Sequence, residues 1–145
     1  MLQKEELRGM KNNNTVNSEN ELIVLCNAVR EFISQKKYQE CWQLITEAMK
    51  KHPHAPQPHN LIGLLLESEG DHLTAMKHFR AAWALDPTYI PVRHNMERFG
   101  TFFSTGEVAY DETDCPKEQE KELYKLEYDE HGIGHVIRRN KNGVI

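Results

Sequence analysis

Residues 56–89 read PQPHNLIGLLLESEGDHLTAMKHFRAAWALDPTY, and the fold follows from laying them over residues 22–55. At that offset of 34 residues, Ala28 falls on Ile62, Val29 on Gly63, Phe32 on Leu66, Cys41 on Ala75, Ile45 on Phe79, Ala48 on Ala82 and Pro53 on Pro87. From Phe32 onward bulky residues meet bulky ones, small meet small, and proline meets proline. A period of this length belongs to helical repeats, whose units bury their apolar faces against one another.

The helices can be placed from the same residues. Ser18 and Glu21 have the spacing of a capping box, so a first helix is expected from there to about Gln35, with Leu22, Leu25, Val29, Phe32 and Ile33 on its buried face. Tyr38 opens the next helix, which stops before the proline-punctuated stretch 52–58. Pro56 or Pro58 sits in the first turn of a third helix, Gly70 breaks it, and Asp71 caps a fourth that ends at Asp86-Pro87. A terminal helix over 88–103 carries Val92, Met96, Phe99 and Phe103 and covers the last apolar face. Gly63, Ala75, Ala82 and Cys41 are read as packing residues, because a larger side chain where two helices cross would force their backbones apart.

In the second copy the run Ile62, Gly63, Leu66, Ala75, Phe79, Ala82 and Pro87 resembles the tetratricopeptide repeat family. The first copy is looser, with Val29 at the small position and Cys41 for alanine. His59 stands at the usual tryptophan position, and the partial third unit has Arg93 there and Glu97 in place of glycine. The resemblance spans roughly 22–103 and implies an all-α fold, a helix-turn-helix repeat of the α-solenoid kind. The expected organisation is a flexible N-terminus over 1–18, a repeat domain over 19–103 with units at 22–55 and 56–89, and a less ordered tail over 104–145.

What the resemblance implies about function is protein binding: an adaptor or chaperone-like module holding a partner peptide or helix in its concave groove. The groove positions it implies are Asn27, Arg30, Asn60, Leu64, His94, Asn95 and Arg98. Side-chain amides can bridge the N–H and C=O of an extended backbone, and arginine can fork onto a carboxylate, so an extended or acidic peptide is the expected ligand. The clamp by which some members grip a terminal carboxylate is not reproduced, since Cys26 and Leu61 stand where it needs polar groups. The alternative is a structural self-assembly element, a homo-oligomer joined through the fifth helix with Phe102 and Phe103, its groove occupied by its own tail. The acidic stretch from Glu107 to Glu130, facing Arg30 and Arg98, would suit that autoinhibited form.

Other chemistries find little support. The net charge of −4 does not point to nucleic acid, and the terminal Arg138, Arg139 and Lys141 are too few to change that. No signal-peptide or membrane-length apolar run occurs, and three cysteines without metal spacing suit a reducing compartment, so a cytoplasmic protein is expected. His52, His54 and His59 lie among prolines, and His131 and His135 are separated by glycines, so no metal site and no cofactor is expected. Cys115 lies among acidic residues that raise a thiol's pKa, and no phosphate loop or serine elbow appears, so the chain is read as no enzyme. In the tail, Asp114 is expected to cap a helix from Pro116 through Tyr128. A small β-hairpin would follow over 134–145.

Overall fold

The computed structural model describes residues 2–102, 106–116 and 124–138, with side chains from residue 13 onward except for 124–126 and 138. It divides into two compact units, residues 1–115 and 116–145. The first is all-helical: α1 (Leu2–Ser34), α2 (Tyr38–Lys51), α3 (Pro56–Glu69), α4 (His72–Leu85) and α5 (Ile90–Phe99), followed by a 3-10 turn at Glu112–Asp114.

The 34-residue period is written into the backbone. Helices α2 and α4 begin and end 34 residues apart, and α5 begins 34 residues after α3. The turns repeat as well. Gly70, at φ 89°, closes α3 with hydrogen bonds from its own N–H to Glu67 O (3.1 Å) and from Asp71 N–H to Leu66 O (2.8 Å). One period earlier Lys36, at φ 57°, does the same, its N–H reaching Ile33 O (3.0 Å) and that of Lys37 reaching Phe32 O (2.8 Å). The two turns have one geometry, but only one has glycine in the left-handed conformation where a Cβ is strained. Lys36→Gly should therefore stabilise the chain by roughly 0.5–1 kcal/mol, the relief of left-handed strain exceeding the extra entropy of glycine in the unfolded chain. A higher urea midpoint at unchanged slope would show it, and an unchanged or lower midpoint would refute it.

Helix α3 is the centre of the stack, packing on α4 most extensively and also on α1, α2 and α5. That is why Leu61, Ile62, Leu64, Leu65 and Leu66 run apolar without a polar stripe, and all are buried. Val29, Cys41, Ile45, Ala75 and Phe79 complete the main core. A smaller cluster of Ala82, Tyr89 and Val92 joins α4 to α5. Asp71 caps α4 by accepting a hydrogen bond from Thr74 N–H at 3.2 Å.

Two expectations about the helices change. Helix α1 does not start at Ser18 but at Leu2: the Ser18 hydroxyl donates back to Asn14 O (2.8 Å), a mid-helix bond, so the capping-box spacing is not used as a cap. Helix α5 runs over Ile90–Phe99, shorter than 88–103. Phe102 is fully exposed, and Phe103 lies outside the described residues.

The tail also departs from its reading. Residues 124–128, expected to end a helix, form β1 (Tyr124–Tyr128), paired antiparallel with β2 (Gly134–Arg138) from Tyr124 opposite Arg138 to Tyr128 opposite Gly134. Tyr124, Leu126 and Tyr128 alternate with Lys125 and Glu127, a strand period that the charged residues disguised as helix. Asp129 organises the turn, accepting the N–H groups of His131 (2.9 Å) and Ile133 (3.0 Å), with Gly132 at φ 74°. The hairpin thus forms upstream of the expected one. Residues 117–123 and 139–145, where the rest of that helix and the returning strand were placed, lie outside the described residues.

Candidate peptide groove

The expected groove residues lie on α1, α3 and α5, with α3 packed between the other two. On α1, Asn27 and Arg30 stand one turn apart, and Asn27 Oδ1 accepts a hydrogen bond from Arg30 Nη1 at 3.0 Å, which aims the guanidinium. On α3 the polar groove residue is Asn60, and on α5 they are His94, Asn95 and Arg98. Leu64, one turn beyond Asn60 on α3, is buried in the main core, on which Val108 and Tyr110 pack.

Residues 106–115 cross this face as a strap. Asn95 holds both main-chain groups of Ala109: its Oδ1 accepts the Ala109 N–H (2.8 Å) and its Nδ2 donates to Ala109 O (2.7 Å). Asn60 Nδ2 donates to the same carbonyl at 3.1 Å, and Asn60 Oδ1 accepts from Asn95 Nδ2 at 2.8 Å. Asn60, Asn95 and Ala109 are all 0% exposed. A buried amide cluster in which donors meet acceptors at every contact is strongly specifying, because each member would be costly if left alone.

Beyond Ala109 the recognition turns electrostatic. Arg30 Nη2 lies 2.6 Å from Asp114 Oδ2 and 3.2 Å from Asp111 Oδ2, and its guanidinium sits 5.4 Å from the centre of the Tyr110 ring. Burial opposes the Asp111 charge, but hydrogen bonds from Thr113 and the Arg30 cation outweigh it and hold its carboxyl below the ordinary aspartate value. Asp111 also caps the 3-10 turn, and Asp114 Oδ2 accepts the N–H of Tyr110 at 3.0 Å. At the far end, His94 Nε2 lies 2.6 Å from Glu107 O, and Arg98 donates to the carbonyl of Gly106. Five of the expected groove residues, Arg30, Asn60, His94, Asn95 and Arg98, touch this one segment directly, and Asn27 reaches it only through Arg30. The charge pairing expected for both arginines is found at Arg30, while Arg98 meets a main-chain carbonyl.

No family model, curated protein or solved structure matches this chain. The geometry must carry the functional reading.

Clefts also open on the surface around the helices. One, of about 460 Å³, lies beside the strap between Glu19, Ile23, Cys26, Asp86, Tyr89 and Glu112. Burial, aided by the nearby Asp111 charge, pushes the Cys26 thiol up to about 12, which disfavours the thiolate. Another, of about 510 Å³, opens at the free end of the stack, where Val24 and Leu44 lie among Asn20, Ala28, Glu47 and Lys51.

The histidines pair differently from the sequence reading. His59, at the position where the family has tryptophan, stacks on His78 with ring centres 5.4 Å apart and Nδ1 atoms 3.1 Å apart. Burial lowers both pKa values, and the pair is held by one imidazole N–H donating to the other ring's bare nitrogen. His52 meets Glu21 at 2.9 Å, and His135 meets Asp129 at 2.8 Å. Among the described residues, no three His, Cys, Asp or Glu side chains converge as a metal site would need, and no helix is long and apolar enough to cross a membrane.

Proposed function

We propose that this chain is a protein-recognition module of the tetratricopeptide repeat type, whose concave face holds an extended, acidic segment of a partner protein. The observation that carries this reading is the grip of Asn95 on both the N–H and the C=O of one residue, supported by Asn60. Such contacts read an extended main chain whatever its side chain, while Arg30 adds a demand for carboxylates. In the resting chain the strap fills that role, so a partner segment binds by replacing it. Affinity capture from native extract tests this, using the full chain, an Asp111→Asn/Asp114→Asn chain with a weakened strap, and an Arg30→Ala/Arg98→Ala chain. A protein retained by the second form and lost by the third is the expected result. Recovery of the chain alone by every form would sink the reading.

A second reading is assembly of like chains. What favours it is the open end of the stack, where Val24 is 66% exposed beside an apolar cleft on α1 and α2. A molar mass that falls on dilution, and that drops to the monomer value for Val24→Glu, would support it.

A further inference from the structure

Building on the recognition reading, we propose that the groove selects a partner segment of the form small-aromatic-Asp-x-x-Asp, the pattern the chain itself presents as Ala109, Tyr110, Asp111 and Asp114. Each position has its own physical reason. Ala109 is 0% exposed beneath Asn60 and Asn95, so there is no open path for a longer side chain at the residue whose backbone is gripped. Tyr110 packs partly buried against the main core, with the Arg30 cation over its ring, a place for a flat, electron-rich side chain.

The two aspartates are read together. Asp111 opens the 3-10 turn, its Oδ1 taking the Thr113 N–H at 2.9 Å, and Asp114 closes it by accepting the N–H groups of Tyr110 (3.0 Å) and Asp111 (3.3 Å). That turn brings carboxylates three residues apart onto one guanidinium, at 3.2 and 2.6 Å. Acidity alone therefore does not satisfy the site. The spacing does, and Arg30, fixed by Asn27, measures it.

The occupant is a segment of another protein rather than a second copy of this chain. Exchange between copies would only restore in trans the contacts that the tethered Val108 and Tyr110 already make on the core, while adding the entropic cost of association.

The test uses a fluorescent peptide of residues 106–116 with Cys115→Ser, and anisotropy titrations of the full-length chain. Two variants weaken the strap independently, Asp111→Asn/Asp114→Asn and Ala109→Arg, each checked for helix content by circular dichroism. The peptide is expected to bind both at least tenfold more tightly than it binds the parent, whose tethered strap competes at an effective concentration on the order of millimolar. Placing Arg30→Ala in the same backgrounds should weaken binding about fivefold. So should a peptide of equal composition with its second aspartate moved by one position. Binding indifferent to that shift, or no binding by either folded variant, overturns the proposal. If an Arg30-dependent protein is still captured from extract in that case, the recognition reading stands and only the motif is wrong. A micromolar dimer of the parent without peptide binding would give the groove to a second copy and overturn the proposal too. Should neither variant fold, hydrogen exchange at the Ala109 amide of the parent decides: millimolar peptide is expected to accelerate it, and unchanged exchange overturns the motif.

Discussion

Phe79→Ala is expected to lower the unfolding free energy by about 3–5 kcal/mol, the range for emptying a fully buried aromatic site. Phe79 is 0% exposed and lies near-parallel to Phe99, with ring centres 5.8 Å apart. Its ring also occupies the space that a side chain on Gly63 would need: a Cβ built there would lie 2.4 Å from Cε1. The family-like small position on α3 and the bulky one on α4 are thus two halves of one contact. Gly63→Ala should cost roughly 1–3 kcal/mol by overpacking. In a Gly63→Ala/Phe79→Leu double variant the new methyl moves into space the ring has left, so the double variant should cost less than the sum of the two single substitutions. Guanidinium unfolding of the four chains measures this. Additive costs would show that the residues do not share the space, and an unperturbed Gly63→Ala chain would contradict the contact outright.

The repeat positions were legible because a helix pair must alternate bulky and small residues where its members cross, and that constraint recurs with every unit. Val29, Cys41, Ile45, Ala75 and Phe79 were all readable on this ground, and all are buried. The first half of α1 was not. Residues 2–17 carry charges and the Asn12-Asn13-Asn14 run with no apolar period, so nothing in the sequence distinguishes helix from coil there, and Ser18 offered a misleading cap. Strand β1 was obscured by Lys125 and Glu127, residue types that suit exposed helix and exposed strand alike.

The groove divides along similar lines. Its walls follow from the repeat, since Asn27, Arg30, Asn60, Asn95 and Arg98 lie on first helices. Its occupant was visible only as charge. The acidic stretch opposite Arg30 pointed to Asp111 and Asp114, but Ala109 is held through its main chain, and a main-chain contact leaves no mark on residue type. Leu64, one turn beyond Asn60, is buried like Asn60, in the core on which Val108 and Tyr110 of the strap pack.

Asn95→Ala is the second large effect, about 3 kcal/mol, and it separates an amide clamp from mere filling of space. The substitution would leave the buried Ala109 N–H without its acceptor and Asn60 Oδ1 without its donor, each worth roughly 1–3 kcal/mol when stranded. The Ala109 carbonyl would keep one donor, Asn60 Nδ2. Asn95→Asp is the sharper probe because it preserves shape. An aspartate could still accept the Ala109 N–H, but when ionised it would face Ala109 O and Asn60 Oδ1 with no proton to offer, setting a buried charge against two acceptors. It should therefore destabilise at neutral pH at least as much as alanine does. If Asn95→Asp unfolded at the parent's denaturant midpoint, the donor side of the amide would be unnecessary and the strap would be held by packing and Arg30 alone. If both substitutions are costly while Arg30→Ala, at a side chain 36% exposed, loses about 1 kcal/mol or less, the order of forces is fixed. The buried amides then fix the position of the backbone in the groove, and the ion pairs at its rim select which acidic segment takes that place.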